Sequence, residues 1–171
     1  HSRDVSFQNR GPRGQHSTSR RVVADVLSTL AGLGLGITLM LELAGLKLAS
    51  FTSAGPLFTV LGRLTGMVGT YGMILTLFLI ARIPLLEREV GFDRTVRWHR
   101  KLAPWSLLLI GLHVVFIVLG YAITEQTSVL HQSWALLTTT RWILPAVAGF
   151  VLLMVAGVTS YKRVRSRMSY E

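Results

Sequence analysis

The sequence predicts an all-α fold: a polytopic membrane helix bundle with four spans and both termini cytoplasmic. Three observations predict it. First, of 26 charged side chains, 20 lie in segments 1–21, 82–101 and 160–171, which together make 53 residues. The other 118 residues carry six charges: Asp25, Glu42, Lys47, Arg63, Glu125 and Arg141. A soluble domain scatters charge over every element, because every element has a wet face. Second, four apolar stretches are long enough to cross a hydrocarbon core about 30 Å thick, which takes roughly 20 helical residues. Third, 15 of the 18 basic residues fall on segments that share one side if there are four spans, the pattern that places that side in the cytoplasm.

Taken in order, residues 1–21 are polar, contain Gly, Pro and Ser, and lack an apolar run. They read as a flexible basic cytoplasmic tail, not a secretory signal. Residues 22–160 form the membrane domain, with spans at 22–45, 56–81, 102–123 and 142–160. The 82–101 loop holds Arg82, Arg88, Arg94, Arg97, Arg100 and Lys101, whereas the opposite connections hold only Lys47 and Arg141. Residues 161–171 form a second basic cytoplasmic tail. Trp134 and Trp142 sit near the expected outer boundary and Trp98 near the inner one, as in an aromatic belt. Glycines four apart, Gly32/Gly36 and Gly62/Gly66, suit either close helix contact or room for a flat cofactor.

Composition excludes several classes. A net charge of +10 could suit nucleic acid, but the basic residues are not interleaved with a soluble fold's polar positions. Membrane lipid is the expected partner and nucleic acid is not. With no cysteine there can be no disulfide, iron–sulfur cluster, thiolate-ligated haem or covalent c-type haem. Any metal or haem must be held by His, Met, Tyr or carboxylate.

Ionisable groups within the membrane are costly and usually functional. His99 lies where the 82–101 loop enters the third span, and His113 lies within that span. Fourteen helical residues fall about 40° short of four full turns and rise about 21 Å. Both rings therefore face nearly the same side, too far apart to share one metal. Two b-type haems, each needing a second histidine opposite, suit that spacing. A packed polar His113 and an interfacial His99 suit it as well. Pro104 removes a bond to the carbonyl of Arg100, and a kink there would alter the phase. Arg63, about two turns inside the second span, faces no acid of its own helix. It either meets an anion such as a haem propionate or snorkels to the headgroups. His131 in the TSVLHQSW connection reads as a solvated loop residue.

The run from Gly62 to Ala122 resembles the ferric reductase-like transmembrane domain, the family of NADPH oxidases, ferric reductases and actinobacterial-type membrane ferredoxin reductases. The pieces that carry it are GRLTG, ARIPLLEREVGFDRTVRWHR and GLHVVFIVLGYA, with Asp93, Arg94, His99 and His113 in a DR-x4-H-x13-H arrangement. The resemblance implies electron transfer through two b-type haems, from a cytoplasmic flavin and NAD(P)H module to an outer acceptor. It implies that His99 ligates an inner haem and His113 an outer one. By the same matching, Arg63 lies near the outer haem and Arg82 at the inner end of the second span. FAD and NAD(P)H belong to a reductase domain or chain that would meet the 82–101 loop in the plasma membrane's cytoplasmic face.

Two departures qualify it. The family's second histidine pair lies on the next span, and this sequence ends at Glu171, where that helix would start. The missing helices would come from a longer chain or a partner, and haem binding by these residues alone is expected to be weak. Oxidases also place a histidine one turn after the outer ligand, where this chain has Ile117. Two alternatives stand beside the first reading: the haem subunit of a quinone-linked reductase, and a haem-free membrane scaffold or assembly subunit.

Overall fold

The computed structural model describes residues 15–47 and 51–168. Most of the expected N-terminal tail, including Arg3, Arg10 and Arg13, lies outside the described residues. Within them the protein is all helical, with α1 (Gln15–Ala44), α2 (Ala54–Ile80), α3 (Pro84–Glu89), α4 (Phe92–Thr124), α5 (Val129–Thr139) and α6 (Ile143–Met168). Four of these are long and apolar enough to cross a membrane: Arg21–Ala44, Ala54–Ile80, Phe92–Thr124 and Ile143–Arg163.

Helices outrun the apolar stretches at the basic ends. The first begins seven residues before the expected span, and the last continues through the basic segment to Met168. Neither segment contains the Gly or Pro that would stop a helix. The expected 82–101 loop is itself mostly helical. Pro84 stands at the first turn of α3, where its missing N–H costs nothing. Gly91, at φ +89°, then turns the chain in a conformation that other residues rarely adopt. Its carbonyl accepts from the N–H groups of Arg94 and Thr95, which starts α4.

From there α4 runs 33 residues without interruption through Pro104, about 50 Å at 1.5 Å per residue. That exceeds the hydrocarbon thickness, so Arg94, Arg97, Arg100 and Lys101, all exposed, project past the apolar band. At the other end, the connection between α4 and the last span contains a helix that hydropathy did not announce. Ser128 caps α5 by accepting from the N–H of His131, and Thr127 donates to Gln132. Eleven residues make only about 16 Å of helix, too short to span.

Packing is inverted relative to a soluble protein. Large apolar side chains such as Leu41, Leu144 and Leu152 face outward, as lipid allows. What is buried is small: the hidden positions of α2 are Gly55, Val60, Gly62, Gly69 and Thr76. Four of these, 55, 62, 69 and 76, recur every seven residues. On α4 the positions 99, 106, 113 and 120 do the same. The helices lie antiparallel, so that Gly55 meets Gly120, Gly62 meets His113 and Thr76 meets His99. A seven-residue repeat keeps one seam in register along a pair of helices that wind left-handed about each other.

Candidate functional site

Both histidines point into this seam. His113 Nδ1 lies 2.7 Å from the carbonyl oxygen of Gly62, and His99 Nδ1 lies 3.1 Å from that of Thr76. A carbonyl can only accept, so in the neutral ring each Nδ1 donates its hydrogen and each Nε2 keeps a free lone pair. This is the usual way a metal-ligating histidine is oriented: one nitrogen anchored, the other presented. The partner carbonyls are themselves fourteen residues apart. Two helices in one register thus hold two rings in the same way at two levels.

Local sequence explains why each ring fits. A Cβ on Gly66 would sit 2.9 Å from Cε1 and Cγ of His113, well inside van der Waals contact. Only glycine lets the imidazole lie flat against α2. At the other level Thr76 is 1% exposed. Its hydroxyl turns back to the Met73 carbonyl at 2.7 Å, and its own carbonyl faces His99.

Arg63 follows Gly62 on α2 and meets an acid of α1. Its Nε is 2.7 Å from Glu42 Oε1 and its terminal nitrogen donates to Oε2 at 3.0 Å. Glu42 is 7% exposed and Arg63 58%. The side chain therefore does more than reach for headgroups. Its first counter-charge lies within the chain. The guanidinium borders an open cleft of about 510 Å³ between α1, α2 and α4, lined by Thr38, Glu42, Arg63, Gly66, Tyr71 and His113. Pockets of a few hundred cubic ångström are the size that takes a small molecule or cofactor. Tyr71 closes one side by donating to the Ala31 carbonyl at 2.7 Å.

The structure brings His113 and Arg63 to one cleft and places His99 about 21 Å along α4, at 1.5 Å per residue. Arg82 stands apart from the cleft, just beyond α2, with φ +49° and its guanidinium 5.4 Å from the centre of the Phe92 ring. His131 is exposed on α5, so it is a helical residue and not a loop one. Among the described residues no three His, Cys, Asp or Glu side chains form a metal-binding group.

Sequence reasoning missed three participants. Glu42 was visible as one of three isolated charges within the apolar stretches, with Asp25 and Arg63, but its pairing needs the α1–α2 register. The carbonyls of Gly62 and Thr76 have no residue code of their own. Their signal was the sevenfold spacing shared by 55, 62, 69, 76 and by 99, 106, 113, 120.

Compared with known proteins, residues 65–171 match the sequence profile of the family described as ferric reductase like transmembrane component. No curated protein matches the chain, and no solved structure does. Arg82, His99 and His113 fall inside the matched region, whereas Glu42, Gly62 and Arg63 precede it.

Proposed function

The chain belongs to the ferric reductase-like transmembrane family, and from that membership we propose that it carries electrons across a membrane through two b-type haems. The observation that carries this reading is the pair of histidines on one face of α4, each with Nδ1 anchored on a carbonyl of α2. The residues fit the group: half-buried imidazoles with Nδ1 held on a carbonyl and Nε2 left over, in an apolar bundle without thiols, are what a b-type haem requires.

His99 would hold the inner haem and His113 the outer one. Bound haem supplies a one-electron ferric/ferrous couple. The protein's own work is to fix both rings, to keep water out with the apolar spans, and to offer the Arg63 cation to a propionate at the outer level. Each haem would need one further ligand residue, which would come from a helix other than those described, on the same chain or on a partner. The basic end, where Arg82, Arg88, Arg94, Arg97, Arg100 and Lys101 are all exposed, faces the cytoplasm of a cell carrying this protein in its plasma membrane. It receives electrons there from a flavin and NAD(P)H reductase module, and the acceptor lies outside.

The test is the haem spectrum of the complete protein purified from its membrane. Two b-type centres are expected in the difference spectrum between reduced and oxidised forms. His113→Ala removes one of them and His99→Ala the other. A colourless preparation, or two variants that keep full haem content, ends the proposal. Orientation has its own test. Because the sequence has no cysteine, single cysteines at Arg88 and Ser128 should label from opposite sides of a sealed vesicle, Arg88 from the cytoplasmic one.

A further inference from the structure

Glu42 is the buried charge that the function above does not use. It sits near the end of α1, a helix whose neighbouring residues Met40, Leu41 and Leu43 are 71%, 70% and 53% exposed. Glu42 alone among them turns inward, to 7% exposure. A carboxylate so placed is expensive to keep charged unless it is paired. Its partner is Arg63, engaged at Nε and at one terminal nitrogen.

One hydrogen bond and one ion contact tie the pair together. Arginine has five N–H donors in a rigid planar fork. With one terminal nitrogen bonded to Glu42 Oε2 and Nε drawn against Oε1 as an ion contact, the cation is held toward α1 rather than toward the headgroups. Arg63 and Glu42 both line the cleft that His113 enters. The inner level has no counterpart: fourteen residues after Arg63 the chain has Leu77.

We propose that Glu42 is a positioning residue of the outer site, holding the Arg63 guanidinium at the His113 cleft and offsetting its charge there. The proposal rests on the haem reading of that cleft. It assigns Glu42 control over the potential at one level only. A negative charge beside a redox centre disfavours the electron-rich state, and a positive charge favours it. The ion pair therefore sets a balance that neither residue sets alone.

The experiment is a spectroelectrochemical titration of the complete haem-loaded protein, with the outer centre assigned by its loss in His113→Ala. Glu42→Gln is expected to raise the outer midpoint potential, favouring reduction of that centre about tenfold, or about 59 mV for one electron. The inner midpoint should stay in place. Glu42→Asp should recover most of the shift. Arg63→Gln should move the outer midpoint the other way, and the double variant E42Q/R63Q should return toward the wild type. Unchanged outer potential in Glu42→Gln overturns the proposal, as does an equal shift at both centres. If Glu42→Gln loses the outer haem and the double variant does not regain it, the pair is only a structural tie and the proposal also fails. A wild type without haem would instead bring down the functional reading, and this inference with it.

Discussion

The two histidine levels are alike in backbone and unlike in side chains. At each, an imidazole of α4 donates from Nδ1 to a carbonyl of α2, and the carbonyls repeat with the rings at fourteen residues. Around His113 stand a bare glycine, a buried carboxylate and an arginine. Around His99 the corresponding α2 positions hold Thr76, Leu77 and Ile80 in place of Gly62, Arg63 and Gly66. The comparison separates two jobs. Helix register determines where a ring nitrogen points, and the side chains of one level determine the charge it meets.

Breaking the levels independently is the way to probe that separation. The largest effect is expected from Arg63→Ala, which strands Glu42 in the bundle. Removing one partner of a buried pair typically destabilises by 3–5 kcal/mol, and with Arg63 more than half exposed the loss should lie near the low end, about 3 kcal/mol. Thermal unfolding of the purified protein in detergent measures it. If Arg63→Ala unfolds at the wild-type temperature, the pair does not hold α1 to α2.

Gly66→Ala comes next. Its methyl would press on the His113 ring, at an overpacking cost of about 1–3 kcal/mol, and should diminish the outer haem signal while sparing the inner. Gly36→Ala is the matched control, since a Cβ there meets nothing within 4 Å. Should both substitutions behave alike, the close approach at Gly66 is not what seats the ring. Smallest is Thr76→Val, which deletes the hydroxyl bond to Met73 but keeps the carbonyl that His99 uses. A cost of about 1 kcal/mol is expected, with the inner haem spectrum unaltered. A changed spectrum would mean that the side chain, and not the backbone, serves His99.

The fold was largely legible because a bilayer enforces a simple rule: apolar runs of about 20 residues span, and charge collects outside them. That rule located α1, α2, α4 and α6. It is blind to helix that continues into water, which is why Phe92–Lys101 read as loop, and to short helices such as α5 that never cross. That His99 and His113 share one face of α4 was legible from spacing alone, since a phase on one helix needs no knowledge of its neighbour. Glu42 was not, because its pairing with Arg63 depends on how α1 docks against α2. Nor were the anchoring carbonyls, which any residue would supply and only register selects.

The sevenfold seam has a consequence for how such a bundle can be resized. A single inserted residue between Gly62 and Thr76 would turn one level away from α4 by about 100°, whereas a step of seven keeps it on the seam. One seven separates the levels by about 10 Å and leaves most of a 30 Å core uncrossed. Three sevens give about 32 Å and push at least one level out of the hydrocarbon. Two sevens suit both the seam and a core of that thickness, so the count of residues between the histidines ties helix register to membrane dimension.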